Sequence, residues 1–289
     1  MSIKSSISNE IERLASVVGA RVSPKSLPGR ILRRIVAPLR RRPAPAPPPL
    51  ERLIEEFGAA YPRATFVQVG SNDGVQLDPL RRQVHERQWS GVMVEPMPAI
   101  FRRLEDNYGD QPRVRLANVA IATENGMRTM FYIPEAADES QLPVWYQALA
   151  SFNKDVLLQH RSEIPDIDQL IAETEVRCVT FDMLCSQHGV QSVDLIHTDT
   201  EGYDFEIIKM IDIRSLAPKI VLFEHYHMDR DTYEACLAHL RSFGYEDLAV
   251  GMDTVCLHPD AINADSVLQL WAHLRASGRT LAFRADELN

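Results

Sequence analysis

The 289-residue chain is 45% hydrophobic and 25% charged; those proportions fit one large domain with an appendage or two small ones, and no apolar run reaches the ~20 residues that cross a bilayer. The net charge of −9 is unevenly spread. Residues 1–50 hold ten Lys or Arg against Glu10 and Glu12, whereas the rest holds 21 against 38 Asp or Glu. An acidic body of this kind is ill suited to neutralising phosphates, which excludes nucleic acid as the expected partner.

Taken in chain order, the basic arm comes first. Ile3, Ile7, Ile11, Leu14 and Val18 recur at helical spacing. In "GRILRRIVAPLRRR", Ile31, Leu32, Ile35, Val36 and Leu39 alternate with Arg30, Arg33, Arg34 and Arg40 to Arg42. Apolar and cationic faces on one helix suit peripheral contact with an anionic membrane; a solvated basic helix and a homo-oligomer or partner contact remain open. Residues 1–42 are read as this arm and 43–50, "PAPAPPPL", as an extended proline-rich spacer. The main domain is expected over 51–289.

From residue 51 the hydrophobic period switches repeatedly between helix and strand. Helices are expected over 50–61, 76–89, 99–109, 182–189, 203–211, 231–244 and within 260–276. Strands are expected over 64–70, 91–96, 114–122, 127–133, 176–181, 193–199 and 219–225, followed by a closing antiparallel pair at 245–250 and 253–258. A polar, partly helical insertion at about 134–172 interrupts the series. Alternating strands and helices predict an α/β fold with a mostly parallel sheet covered on both faces. Its ligands should bind beyond the carboxyl ends of the strands.

The residues at those ends form a pattern. In "TFVQVGSNDG", Gly70 and Gly74 frame a short turn after a strand, with Ser71, Asn72 and Asp73 between them. Glycines there let the backbone turn sharply and present N–H groups to a ligand. Glu95 ends the next strand, where a carboxylate can accept both hydroxyl hydrogens of a ribose. Together these imply a nucleoside. Asn72 stands where a dinucleotide site needs its second glycine, and Asp73 beside it would repel a pyrophosphate by about 1 kcal/mol or more. A sulfonium and an ammonium group would be attracted instead, which favours S-adenosyl-L-methionine over NAD.

"FVQVGSNDG", "VMVEPMPAIFRRLEDNY", "ANVAIA" and above all "VDLIHTDTEGYDFEIIKMI" followed by "IVLFEHYH" resemble the FkbM branch of the class I S-adenosylmethionine-dependent methyltransferases, over about residues 63–258. The resemblance implies a seven-stranded Rossmann-like sheet with a reversed last strand and O-methylation, often of sugars or polyketide-like products. One departure is Gln68, which stands where many methyltransferases carry an acid; Asp73 or Asp199 is expected to supply the missing negative field. The donor site is expected to comprise Gln68, Gly70, Ser71, Asn72, Asp73, Gly74, Glu95, Asn118 and Asp199.

Asp199 and His225 are the expected catalytic residues, His225 because imidazole has a suitable intrinsic pKa for a general base. His197 points to the same sheet face as Asp199. Glu201, Glu224, Trp145 and Tyr146 are expected to meet a hydroxylated acceptor, a carbohydrate or glycoconjugate, with the 134–172 segment as a lid. Glu201 and Asp204 also suit the first turn of a helix capped by Thr200. A small secondary metabolite is the alternative acceptor, and a nucleoside-binding scaffold without turnover the alternative function. "EHYHMD" gathers Glu224, His225, His227 and Asp229, but magnesium prefers oxygen ligands, so a divalent metal is not expected. Cys178, Cys185, Cys236 and Cys256 form no C-x-x-C pair and read as reduced thiols of a cytoplasmic protein, peripheral at the inner membrane face if the arm binds it.

Overall fold

The computed structural model describes residues 47–135, 142–278 and 280–281. The basic arm and most of the proline-rich spacer lie outside the described residues, as does part of the insertion. A compact unit begins at Pro48. Its first helix, α1 (Pro49–Ala60), starts on a proline, whose fixed φ is already helical. Leu53, Ile54 and Phe57 form its buried face.

The chain continues through β1 (Thr65–Val69), α2 (Arg81–Glu86), β2 (Ser90–Val94), α3 (Pro98–Tyr108), β3 (Val114–Ala117), β4 (Ala120–Ile121) and β5 (Gly126–Tyr132). The insertion contributes β6 (Ala150–Ser151), α4 (Lys154–Leu158) and α5 (Ile167–Leu170). Then follow β7 (Ala172–Val179), α6 (Phe181–His188), β8 (Leu195–Thr198), α7 (Asp204–Met210), α8 (Ile213–Leu216), β9 (Ile220–Glu224), α9 (Arg230–Arg241), β10 (Glu246–Gly251), β11 (Asp253–Leu257), α10 (Asp265–Ala276) and β12 (Thr280–Leu281).

The main sheet runs β12-β10-β11-β9-β8-β1-β2-β3. Every pairing is parallel except those of β11, which runs antiparallel between β9 and β10. Seven strands thus give the expected sheet with a reversed last strand, and the two-residue β12 extends its edge. Alternate residues feed opposite faces. Val67, Val92, Ile196, Val221 and Phe223 pack on one side with α6, α7 and α9. Phe66, Met93, Leu195, Ile220 and Leu222 pack on the other with α1, α3 and α10. Burial on both faces explains why these strands read as unbroken apolar runs.

Two expectations are corrected. The helix expected over 76–89 is only α2, because turns precede it: Asp73 Oδ1 accepts from the amides of Val75 and Gln76, Asp78 Oδ1 accepts from that of Leu80, and Leu77 has φ +56°. The strand expected over 114–122 breaks at Asn118, whose side-chain amide donates back to the carbonyls of Glu95 and Pro96. Its second half, β4, joins a separate sheet of order β4-β7-β5-β6. There β5 pairs antiparallel with β7 from Gly126↔Cys178 to Tyr132↔Ala172. The insertion has a core of its own, including Ile133, Tyr146, Leu149, Leu157 and Ile164.

After β3 the chain returns to the other side of β1 and lays β8 against it, so the strand order reverses between β1 and β8. At this switch point the strand-end loops splay apart and leave a crevice.

Candidate functional site

A cavity of about 330 Å³ fills that crevice, bounded by the ends of β1, β2, β8 and β9 and roofed by the insertion. Its first wall is the β1 turn. Gly70 has φ +80°, and a Cβ there would stand 1.7 Å from the Asp199 carbonyl oxygen. Only glycine lets the β1 and β8 tips come this close. The Gly70 and Ser71 amides donate to the Val94 carbonyl, and Ser71 Oγ accepts from the Val94 amide, locking the turn to β2. Glu95 follows directly. Its carboxylate accepts from the Asn72 amide at 3.0 Å and the Met97 amide at 2.8 Å, while facing the cavity. Burial pushes its pKa up to about 7, against the pull of those two amides.

Of the residues expected at the donor end, Gln68, Gly70, Ser71, Asn72, Glu95 and Asp199 line the cavity. Asp73, Gly74 and Asn118 do not line it, and each has a structural task instead. The Asp73 carboxylate caps its own turn. Gly74 makes room for Tyr108, whose ring a Cβ would meet at 2.4 Å. Asn118 holds the backbone that carries Glu95. The negative group beside Gln68 is Asp78, which accepts from Gln68 Nε2 at 3.1 Å and from the Tyr108 hydroxyl at 3.0 Å. Burial raises the Asp78 pKa. Asp78 also lines the cavity, a role the sequence reading missed because proximity to position 68 depends on the turn.

The opposite wall is crowded with acids. Asp199, Glu201 and Glu224 line it, with Asp204 and Asp253 close enough to be felt. Burial first, and then repulsion from Glu224, Glu201, Asp204 and Asp253, raise the Asp199 pKa well above its ordinary value. Burial and then Glu201 raise that of Glu224. His227 lies among them: Nδ1 is 2.9 Å from Glu201 Oε2 and 3.2 Å from Glu224 Oε2. Burial disfavours charge on this imidazole, but the two carboxylates outweigh it and lift its pKa to about 11. Glu201 sits in a turn before α7, at φ +52°, rather than in the helix's first turn, and Thr200 is not the cap. Ser151 Oγ from the insertion donates to the Glu201 carbonyl.

His225 is placed elsewhere. Its ring is fully buried beside Tyr233, Nδ1 is 2.9 Å from the Thr254 hydroxyl, and it does not line the cavity. Burial lowers its pKa to about 4. The expectation that it serves as base is corrected: residues alternate faces at the end of β9, and Glu224 takes the cavity side. His197 does line the cavity, with its Nδ1 buried and unpartnered. Trp145 lines the roof, whereas Tyr146 is packed into the insertion's core, its hydroxyl accepting from Gln147 Nε2. His160, in a turn over Gln159–Ser162, reaches the cavity and was missed, since no spacing rule ties it to the sheet.

The cavity fits a cationic nucleoside on three counts. One polar end offers a buried carboxylate, Gln68 Oε1 is buried without a partner, and the wall between them carries Met97, Ile100, Val119 and Met130.

A family model described as the methyltransferase FkbM domain matches residues 68–246. No curated protein matches the chain. Among solved structures, a methyltransferase FkbM from Methylobacillus flagellatus KT is similar at 14% identity and a TM-score of 0.43, covering 68% of this chain and 44% of that one. The chain therefore spans less than half of that protein's length. Aeropyrum pernix fibrillarin, in complex with natively bound S-adenosyl-L-methionine, is similar at 10% identity and a TM-score of 0.36, covering 72% of this chain and 76% of that one. A Corynebacterium glutamicum protein is similar at 13% identity and a TM-score of 0.38, covering 88% of this chain and all of that one.

Proposed function

Because this chain belongs to the FkbM methyltransferase family, we propose that it transfers a methyl group from S-adenosylmethionine to a hydroxyl of a carbohydrate or glycoconjugate. The observation that carries this reading is one cavity lined at one end by the buried Glu95 carboxylate and at the other by Asp199. Glu95 would accept from the ribose hydroxyls, the apolar wall of Met97, Ile100 and Val119 would take the adenine, and Gln68 Oε1 would accept from the ammonium group. When bound, the cofactor supplies an electrophilic methyl carbon on a positively charged sulfur.

The chain's own part is to hold the acceptor oxygen and take its proton. Asp199 is the proposed general base. Burial and its acidic neighbours raise its pKa, and a cation entering beside it lowers that pKa and favours the carboxylate form that can accept a proton. Glu201 and Glu224 would accept from neighbouring acceptor hydroxyls, and the Trp145 face suits a sugar ring. The insertion over the cavity would exclude water during transfer.

Isothermal titration with S-adenosylmethionine and S-adenosylhomocysteine tests the donor half: one site each is expected, and absence of heat and of thermal shift would refute it. For the acceptor half, glycans extracted with and without the protein should differ by one methyl mass. The arm's charge pattern supports peripheral contact with anionic membranes. Cosedimentation of the full chain with phosphatidylserine vesicles, lost on deleting residues 1–42, is the expected result.

A further inference from the structure

Where the insertion meets the main sheet, two imidazoles face each other. His160 Nε2 and His227 Nε2 are 3.0 Å apart. The far nitrogen of His227, Nδ1, meets Glu224 Oε2 at 3.2 Å, and Glu163 Oε2 stands 3.8 Å from His160 Nδ1, longer than a hydrogen bond. A carboxylate placed as Glu224 is orients a histidine whose inner nitrogen binds a metal. Bonds of about 2.0–2.1 Å set neighbouring ligand nitrogens roughly 3 Å apart. Ligand atoms of His160, Glu201 and His227 all lie within 4.8 Å of one another, the one such group among the described residues.

We propose that His160, Glu201 and His227 bind a single divalent transition ion of the zinc class. Glu224 Oε2 makes the hydrogen bond to His227 Nδ1, whereas Glu201 Oε2, though nearer at 2.9 Å, is buried with no hydrogen-bond partner, which leaves Glu201 to act as the carboxylate ligand. Two imidazoles favour zinc and the later transition ions over magnesium, so the objection to magnesium does not apply to them. All three ligands line the cavity that Asp199 also lines. Because His160 comes from the insertion and the other two from the ends of β8 and β9, the ion also ties the roof to the sheet. The site stands on this geometry alone and does not need the methyl-transfer reading.

Its test uses the untagged full chain, stripped with chelator and desalted, with neither donor nor acceptor present. Titration with ZnCl2 followed by elemental analysis after dialysis should give one equivalent, MgCl2 should bind far more weakly, and CoCl2 should give visible bands of nitrogen-ligated cobalt. His160→Gln and His227→Gln should each weaken zinc by more than about tenfold, while the exposed His273→Ala leaves it unchanged. Circular dichroism checks that the variants fold; if neither does, the cobalt spectrum of the natural chain decides. Less than one equivalent, magnesium binding as tightly as zinc, a cobalt spectrum of oxygen ligation only, or undiminished zinc in both folded variants would each overturn the site.

Discussion

At the Glu95 end of the cavity, the polar contacts are made by backbone amides: Glu95 is held by Asn72, 23 residues away, and by Met97, two residues away. At the Asp199 end, side chains answer side chains, and His160 meets His227 across 67 residues. Fixed dipoles satisfy the first carboxylate before any ligand arrives. The second group of carboxylates mostly repel one another and have His227 as their cationic neighbour. One end is preorganised, and the other carries unbalanced charge that a cation or a proton must relieve.

The largest effect should come from disturbing the unbalanced end. Asp199→Asn is expected to lower turnover by about 10²–10⁴-fold, the range of a lost general base. Binding of S-adenosylhomocysteine should stay within a few-fold. A variant that loses binding and turnover together would put Asp199 on the donor's side of the contrast.

Glu95→Gln tests the preorganised end. It keeps the shape but loses charge-assisted hydrogen bonds worth about 1.5–3 kcal/mol, so S-adenosylhomocysteine should bind about 10–100-fold more weakly. The sign with pH follows from the raised pKa. Ribose hydroxyls donate, so they need the ionised carboxylate; with a free-state pKa of about 7, affinity should rise from pH 6 to 8 and then level off. In Glu95→Gln this dependence should vanish. Titrations across that range check both, and a slope of opposite sign would mean the protonated acid is the binding form.

The same contrast explains what could be read from the sequence. The main sheet and the Gly70–Glu95 end were legible because their information is local: apolar runs of strand length, a glycine after one strand, an acid after the next. Even there, composition misassigned Asp73 and Gly74. Whether an acid in a turn caps amides or faces a ligand is decided by φ/ψ at single residues such as Asn72 and Leu77, which have φ +48° and +56°. The other end was only partly legible. Asp199, Glu201 and Glu224 were named from their strand tips, but His225 and its neighbours differ by which face of β9 they occupy just beyond its end. His160 sits in an insertion whose fold has no strong period, and only tertiary packing brings it to His227.

Gln68→Glu sharpens the comparison at a smaller scale. Restoring an acid at the end of β1 removes the donor to Asp78 and sets two carboxylates about 3.1 Å apart. The expected outcome is a loss of about 1.5–3 kcal/mol in stability, the value of a hydrogen bond to a charged group, with cofactor affinity moving less than about threefold. Thermal melts and titration measure the two. A large gain in affinity would mean that Asp78 does not serve as the negative group at this wall.

The smallest effect on activity is expected at His225. Burial holds this ring neutral, with a pKa of about 4, and its Nδ1 pairs with Thr254 beneath the sheet end. A group that is neutral throughout the assay range and faces away from the cavity does not shape a pH–rate profile near 7. His225→Asn should therefore keep turnover within about threefold and leave the profile in place, while lowering stability by about 1–2 kcal/mol through the lost contact. Turnover falling a hundredfold in a variant that melts normally would place His225 within reach of the acceptor and erase the boundary between the core and the acidic wall.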